Sequence, residues 1–280
     1  MSTPVTKSSG YVIGEISPEQ FIAEHTFMYI IKGIMRCYDG NKTYIIKSGD
    51  YGLARKNRLG RYKKEKVDGE LEKVFVFFDE GFLKMFQEKH KTKLTAFHSA
   101  DTLVKINPTE LIPSFIRSLM PYYRGGGIID PPFADIKREE LLIILLQNQP
   151  ELAGIFFDYG IPEKINLEEF MYRNYTFNVS MQKFAYLTGR SLSAFKRDFK
   201  TIFHETPNRW LVQRRLQEAH FLMHKKNKKP SEIYLDLGFE DLSHFSYAFK
   251  KQFGLAPTEL TGQKRNGKAG RARQDAKRLR

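Results

Sequence analysis

Cysteine is nearly absent from this 280-residue sequence, which contains only Cys37. A single cysteine excludes an intramolecular disulfide and any metal site of the CxxC type. Cys37 lies among strand-forming residues, so we expect a buried, unreactive thiol. Long apolar runs are also missing: the longest covers residues 141–146, whereas a membrane-spanning helix needs roughly 18 apolar residues. Because residues 1–10 also lack the apolar segment of a signal peptide, we predict a cytoplasmic protein with no membrane partner.

Motifs that mark common active sites are missing as well. The sequence contains no G-x-x-x-x-G-K-[ST] phosphate loop, no H-E-x-x-H zinc motif and no G-x-S-x-G nucleophile motif. The first half has three histidines, none of them in an H-x-H pair: His25, His90 and His98. We place His25 and Glu24 at the surface or at a strand edge. His220 and His224 have the i, i+4 spacing of metal ligands on a helix, but no third ligand accompanies them. We therefore predict no enzyme activity, no metal and no cofactor.

Two segments fifty residues apart repeat each other. Seven identities relate them: Leu192, Ser193, Phe195, Phe199, Lys200, Phe203 and Pro207 match Leu242, Ser243, Phe245, Phe249, Lys250, Phe253 and Pro257. The phenylalanines in each copy are four residues apart, which places them on one face of a helix. Each copy is therefore predicted to be a helix with a buried aromatic stripe and a polar, basic outer face. Two such helices indicate a protein that binds a long, regular, negatively charged partner.

Positive charge is concentrated in the second half of the sequence. Residues 1–163 contain 22 Lys and Arg against 21 Asp and Glu, whereas residues 164–280 contain 24 against 11. Part of this surplus lies in residues 262–280, which contain 8 basic residues and 1 acidic residue and which we expect to be disordered. Residues 164–261 still keep a net charge of +6. A clustered positive surplus is typical of nucleic-acid binding.

The first half alternates short apolar runs with turn residues, which predicts a small antiparallel barrel or sandwich. Tight hairpins are expected at Asp39-Gly40 and at Asp68-Gly69. The pattern becomes helical from Phe82 onward. Three helices are predicted there, over about 108–123, 133–149 and 151–159, and the glycine run 125–127 separates the first two. Helices this apolar can pack on the barrel or pair with a second subunit.

The second half predicts two short-helix, glycine-turn, helix units, which is the helix-turn-helix pattern. Helices are expected over about 167–174, 181–187, 192–203, 207–226, 232–237 and 242–253. Their N-caps are Asn166, Ser180, Ser191, Ser231 and Asp241. Gly189 and Gly238 occupy the turns. The intervening helix of about 20 residues is roughly 30 Å long. Successive major grooves on one side of B-DNA are about 34 Å apart, so this helix can hold two reading helices in adjacent grooves.

Residues from about 166 to 260 resemble the AraC/XylS family of bacterial transcription regulators. The segment 236–257 reads DLGFEDLSHFSYAFKKQFGLAP and closely resembles the signature of that family. The segment 185–200 reads AYLTGRSLSAFKRDFK and resembles the upstream partner of that signature. The resemblance covers about a third of the chain. The first half is similar, through less specific features, to the cupin-like sensing or dimerising domain of many members.

The resemblance implies an α+β protein in three parts. Residues 1–160 would form an antiparallel β-barrel of cupin-like type followed by helices, and would sense an effector or dimerise. Residues 164–261 would form an all-α DNA-binding domain with two helix-turn-helix units joined by a long helix. Residues 262–280 would form a basic tail.

The resemblance also implies that the helices 192–203 and 242–253 enter adjacent major grooves of double-stranded DNA. The positions that match groove-facing residues are Ser193, Lys196 and Arg197 in the first helix and Ser243, His244 and Tyr247 in the second. The guanidinium of Arg197 is suited to hydrogen bonds with the O6 and N7 atoms of guanine. Three further lysines are candidates for phosphate contacts: Lys200, Lys250 and Lys251.

The remaining partners implied by the family are RNA polymerase, a small-molecule or protein effector and a second copy of the chain, in a protein that acts as an activator. Two other functions stay open. One is a non-specific architectural nucleic-acid-binding protein without an effector. The other is a cupin-type metalloenzyme fused to a DNA-binding domain. RNA binding is disfavoured, because RNA readers usually expose aromatic rings on a sheet whereas these aromatic residues lie inside helices.

Overall fold

The computed structural model describes residues 20–68, 71–93, 101–122 and 131–260. The chain divides between Pro162 and Glu163 into two compact units. We call the first the sheet unit and the second the helical unit. The predictions made for His98, for the glycine run 125–127 and for the tail 262–280 lie outside the described residues.

The sheet unit contains nine short antiparallel strands among its described residues. Their bounds are β1 (Phe21–Ile22), β2 (His25–Lys32), β3 (Ile34–Tyr38), β4 (Thr43–Lys47), β5 (Tyr51–Ala54), β6 (Arg58–Leu59), β7 (Arg61–Glu65), β8 (Glu72–Phe78) and β9 (Leu103–Lys105). They form a four-stranded sheet in the order β8-β2-β5-β9, a three-stranded sheet in the order β4-β3-β7, and the pair β1-β6. The antiparallel β-structure predicted for the first half is therefore present.

Two details differ from the predicted barrel. The described strands remain in three separate sheets and do not close into a barrel. The hairpin predicted at Asp68-Gly69 is wrong, because β7 pairs with β3 whereas β8 pairs with β2. Gly69 itself lies outside the described residues. The hairpin at Asp39-Gly40 is confirmed: it joins β3 to β4, with Gly40 at a φ of 93°.

The helices of the sheet unit come after β8, and β9 lies between the first two of them. Their bounds are α1 (Glu80–His90), α2 (Leu111–Leu119), a 3-10 turn (Met120–Tyr122), α3 (Pro131–Asn148), a second 3-10 turn (Pro150–Leu152) and α4 (Ala153–Phe156). Helix α2 begins three residues after Pro108, the predicted start, because other partners bind the preceding backbone. The N–H of Asn107 donates to Gln149 Oε1 at 3.1 Å, and that of Thr109 donates to the Tyr51 hydroxyl at 3.1 Å.

The core of the sheet unit combines aliphatic side chains with several aromatic rings. Phe27, Phe78 and Phe156 are each at most 1% exposed, and the ring centroids of Phe78 and Phe156 are 5.2 Å apart. Cys37 is also buried, which confirms the expected buried thiol. Burial raises the pKa of this thiol to about 12, so it stays protonated at neutral pH.

His25 is buried, and its predicted position at the surface or at a strand edge is wrong. Only 2% of the residue is exposed, and its ring meets Phe156 edge-on at a centroid distance of 5.7 Å. The Nδ1 atom accepts a hydrogen bond from the backbone N–H of Lys56 at 3.3 Å. Burial, with a smaller contribution from the positive charge of Lys56, lowers the pKa of His25 to about 3. The ring is therefore neutral in the folded protein.

We expect acid to destabilise the sheet unit through His25. In the unfolded chain the ring takes up a proton near pH 6.5, whereas in the folded chain it does so only near pH 3. Between these values the unfolded chain binds more protons, so the free energy of unfolding falls as the pH falls, by about 2 kcal/mol from pH 6.5 to about pH 5. Urea unfolding of wild type and His25→Gln, followed by circular dichroism at both pH values, measures this loss. An equal loss in the non-titrating variant would contradict the assignment.

Six complete helices and a helical segment at residues 257–260 form the described part of the helical unit. Their bounds are α5 (Leu167–Asn174), α6 (Met181–Leu187), α7 (Leu192–Phe203), α8 (Pro207–Lys226), α9 (Pro230–Ile233) and α10 (Leu242–Phe253). All except α9 have the predicted bounds. Helix α9 begins at Pro230 and ends at Ile233, so the predicted cap at Ser231 is wrong. The N-cap lies two residues earlier, at Lys229, where Glu232 Oε2 accepts a hydrogen bond from the backbone N–H of Lys229 at 3.1 Å.

Two aromatic clusters stabilise the helical unit, one for each repeat. In the first, Trp210 of α8 packs against Phe199 and Phe203, with ring centroids 5.6 and 4.7 Å away. In the second, Phe239 packs edge-on against Phe245 at 5.1 Å.

Among the described helices of both units, none is long and apolar enough to cross a bilayer.

Candidate nucleic-acid interface

The first of the two helices predicted to read DNA is α7. Its N-terminus is capped by the Ser191 hydroxyl, which accepts a hydrogen bond from the N–H of Ala194 at 3.2 Å. Phe195 and Phe199 are 0% exposed and point into the core. The four candidate contact residues of this helix are all exposed: Ser193, Lys196, Arg197 and Lys200. We call α7 and α10 the reading helices.

The second reading helix, α10, is built in the same way. Asp241 caps it, with Oδ1 accepting from the N–H of His244 at 2.6 Å. Phe245 and Phe249 are 0% exposed, whereas Tyr247 is 69% exposed. The other candidate contact residues of this helix are also exposed: Ser243, His244, Lys250 and Lys251. An exposed tyrosine offers both a stacking surface and a hydrogen-bonding hydroxyl.

Each reading helix follows a glycine turn that a larger residue does not fit. Gly189 has a φ of +65°, and a Cβ atom there would lie 2.5 Å from the backbone nitrogen of Lys164. Gly238 has a φ of +84°, and a Cβ atom there would lie 2.7 Å from the carbonyl oxygen of Thr176. Both the left-handed backbone and the close approach of another segment therefore require glycine. These packed turns fix where each reading helix begins.

An acidic residue on the first reading helix was not expected from the sequence. Asp198 accepts hydrogen bonds from Arg190 Nε at 3.1 Å and from Arg197 at 3.2 Å. The Arg190 side chain is only 7% exposed and also donates to the Ile165 carbonyl at 3.0 Å. The hydrogen bond from Arg190, with a further one from Arg197, holds the pKa of Asp198 below its ordinary value. Asp198 therefore links the exposed side chain of Arg197 to the buried side chain of Arg190.

A second unexpected residue is Arg215, on the helix α8 that joins the two repeats. It is 9% exposed and donates hydrogen bonds to backbone carbonyls on both sides of this helix. Its spacing was a usable signal. Position 215 lies four residues after Leu211 and four before Ala219, both of which are buried, so the helical period places the arginine on the inner face.

The histidine pair on α8 does not form a metal site with other described residues. The rings of His220 and His224 stack with centroids 5.7 Å apart, and the ring of His220 also lies 4.9 Å from that of Phe253. Across the described ranges, no group of three or more His, Cys, Asp or Glu residues is arranged to hold a metal ion. The pair is better explained as part of the packing between α8 and α10.

Two helix-turn-helix units joined by one long helix define a tandem helix-turn-helix protein, and the comparisons with known families agree. Residues 184–263 match the model of a helix-turn-helix domain, and residues 25–155 match that of the ExsA N-terminal regulatory domain. The two matched segments have the domain organisation of an AraC/XylS-family transcription regulator.

Several regulators are similar to this chain. The virulence regulon transcriptional activator VirF of Yersinia enterocolitica is 30% identical over 127 residues, covering 44% of this chain and 46% of VirF. The match thus spans about half the length of that relative. The HTH-type transcriptional regulator ExsA of Pseudomonas aeruginosa is 21% identical over 235 residues, covering 82% of this chain and 83% of ExsA. Among solved structures, apo ToxT from Vibrio cholerae is 15% identical with a TM-score of 0.42, covering 91% of this chain and 93% of ToxT.

Proposed function

We propose that this protein is a sequence-specific DNA-binding transcription regulator whose reading helices enter adjacent major grooves. The observation that supports this most is the pair of exposed polar faces, each backed by a buried phenylalanine pair, at the two ends of one 20-residue helix. Such a helix is roughly 30 Å long. That length matches the roughly 34 Å between major grooves on one side of a duplex.

Each exposed face offers the chemistry of groove recognition. The guanidinium of Arg197 can donate two hydrogen bonds to the O6 and N7 atoms of guanine. Ser193, His244 and Tyr247 supply shorter hydrogen-bonding groups to base edges or to the sugar-phosphate backbone. The ammonium groups of Lys196, Lys200, Lys250 and Lys251 attract phosphates without reading sequence. Mutation of these residues tests whether their side chains contact DNA directly.

We further propose that the sheet unit controls this activity as a cupin-like sensing or dimerising domain. It contains an open groove of about 590 Å³, lined in part by Tyr44, Tyr51 and Leu103. A groove of this volume is large enough for a small-molecule effector. A protein effector and a second copy of the chain remain the other proposed partners. The name of VirF, a transcriptional activator, supports activation as the outcome of DNA binding, and RNA polymerase is the partner that we propose for this step.

Truncation of the reading residues is expected to weaken specific binding without unfolding the protein. Arg197→Ala and Tyr247→Ala should each cost about 1–3 kcal/mol in binding to a selected duplex, because each removes a contact with a base edge or the backbone. Fluorescence anisotropy on that duplex measures the loss. Lys84→Ala in α1 is a matched control, since Lys84 is exposed and pairs with Glu80 at 2.7 Å far from the repeats in sequence. Intact binding in both test variants would overturn the assigned faces.

The alternative of a non-specific architectural protein makes a different prediction. Such a protein binds all duplexes equally and depends on salt through phosphate contacts alone. Footprinting on selected DNA separates the two functions, because a regulator protects two segments about one helical turn apart. Equal affinity for any sequence would favour the architectural protein. The described residues provide no three-ligand cluster in support of a metalloenzyme.

A further inference from the structure

A buried arginine lies near the middle of α8. Burial lowers the pKa of Arg215 to about 10, which still leaves its guanidinium charged at neutral pH. Three backbone carbonyls accept its hydrogen bonds. Nε donates to the Tyr175 oxygen at 2.7 Å, Nη2 to the Phe177 oxygen at 2.8 Å and Nη1 to the Gly238 oxygen at 2.9 Å. Charged donors paired with buried carbonyls make stronger hydrogen bonds than neutral donors.

These carbonyls belong to both halves of the helical unit. Tyr175 and Phe177 lie between α5 and α6, ahead of the first reading helix, whereas Gly238 forms the turn ahead of the second. The two segments also touch directly, because a Cβ atom on Gly238 would lie 2.7 Å from the Thr176 oxygen and 2.8 Å from Arg215 Cζ. We call Arg215 together with residues 175–178 and 238–240 the joint.

A further hydrogen bond crosses the joint at its exposed side. Asn178 Nδ2 donates to Glu240 Oε1 at 3.2 Å. Outside the joint, each half is held mainly by its own end of α8. Trp210 packs on the first reading helix, and Leu216, Ala219 and Met223 share a cluster with Phe245 and Phe249 of the second.

A helix fixes the distance between the two ends that it connects. It does not by itself prevent each packed half from tilting against it through small shifts of side chains. The joint opposes that tilt, because tilting would pull carbonyls of one half or the other away from a buried charge, which is costly. We propose that Arg215 is a positioning residue that fixes the angle between the reading helices, so that both fit one face of a duplex. This inference rests on the two-groove function proposed above.

The angle matters because one base pair rotates the following groove by about 34°. When two binding elements are rigidly linked, the second binds with a high effective concentration only at a matching spacing. A loosened link lowers the affinity at the right spacing and tolerates wrong spacings better. Arg215 therefore contributes to the choice of operator without touching DNA.

The test uses the full chain and a duplex selected from a random pool by the wild-type protein. Three derivatives are compared with it: one base pair inserted between the two protected segments, one removed, and one segment scrambled. Arg215→Met keeps an unbranched apolar stem and removes all the donors, whereas Arg215→Lys keeps the charge and part of the hydrogen bonding. Circular dichroism checks the folding of each variant.

Wild type should lose about tenfold in affinity when the spacing is changed. Arg215→Met should bind the intact duplex about tenfold more weakly, and its spacing penalty should shrink to under about threefold. Its affinity for the duplex with one scrambled segment should stay within about twofold of wild type, which a general loss of structure would not allow. Arg215→Lys should fall between the two.

Two results would overturn the proposal: an unchanged spacing penalty in Arg215→Met, or an equal loss of affinity on intact and half-scrambled duplexes. If neither Arg215 variant folds, Asn178→Asp tests the joint from its exposed side, because it places a second carboxylate against Glu240. A reduced spacing penalty there supports the proposal and an unchanged one overturns it. A wild-type protein without any spacing penalty would instead refute the two-groove function, whatever Arg215 does.

Discussion

Replacing Phe245 with alanine is expected to lower the free energy of unfolding of the helical unit by about 3–5 kcal/mol. Phe245 is 0% exposed, and its ring lies 5.1 Å from that of Phe239 and 5.8 Å from that of Phe249. Removal of the ring leaves a cavity between α8, α9 and α10 that neighbouring side chains fill only in part. Urea unfolding followed by tryptophan fluorescence measures the loss, because Trp210 is the single tryptophan of the chain and lies in α8.

Tyr247→Ala is the matched control for Phe245→Ala. Both are aromatic residues of α10, but Tyr247 is 69% exposed, so its removal should change stability by no more than about 0.5 kcal/mol. The pair therefore separates packing from recognition: one variant loses stability and the other loses DNA affinity. Similar unfolding midpoints for both variants would show that the two faces of α10 have been assigned wrongly.

Alanine at Gly189 is expected to destabilise the helical unit by about 3–4 kcal/mol, through two effects that add. The left-handed backbone at φ +65° costs a residue with a Cβ atom about 1–2 kcal/mol. Contact of that atom with the backbone of Glu163 and Lys164 adds the cost of overpacking. Relief requires the segment 163–165 to move, which breaks the hydrogen bond from Arg190 to the Ile165 carbonyl. Urea unfolding followed by Trp210 fluorescence measures the effect.

Gly254→Ala controls for the backbone conformation alone. Gly254 has a φ of +77°, but nothing lies within 4 Å of the position of a Cβ atom there. This variant should lose only the cost of the left-handed conformation, about 1–2 kcal/mol. Equal losses in the two variants would mean that the close approach of 163–164 to the first turn contributes nothing.

The helical unit could be predicted almost to the residue because its signals are local. Ser191 and Asp241 cap the reading helices, and phenylalanines at a spacing of four define the buried face of each. Helix α9 was misplaced since its start depends on Pro230 at the first helical position and on the reach of Glu232 back to Lys229. Pro230 and Glu232 both indicate this start in the sequence, but serine is a more common N-cap residue than lysine, which favours Ser231 as the cap.

The sheet unit was harder to predict because its structure depends on pairings between distant residues. The turn residues around Asp68 are the same whether β7 pairs with β8 or, as found, with β3. Burial of His25 was also hidden, since a polar residue at the start of a strand usually faces solvent, whereas its neighbours Lys56 and Phe156 are distant in sequence. Sequence patterns over a few residues contain no information about such partners.

The predicted site divides in the same way. Periodicity alone identifies the exposed faces that bear Lys196, Arg197 and Tyr247. It gives no reason to single out Asp198, whose role depends on the buried side chain of Arg190. Arg215 lies on the inner face by its spacing, but its carbonyl partners come from segments about 40 residues before and 23 residues after it.

The sealed thiol of Cys37 makes the protein well suited to site-directed labelling. A maleimide or a spin label reacts with thiolate, and a buried thiol with a pKa near 12 presents almost none of it at neutral pH. Dyes would then react with one cysteine introduced on each reading helix, whereas Cys37 would not react. The distance between two such dyes, with and without DNA, would report directly on how the repeats are oriented in solution.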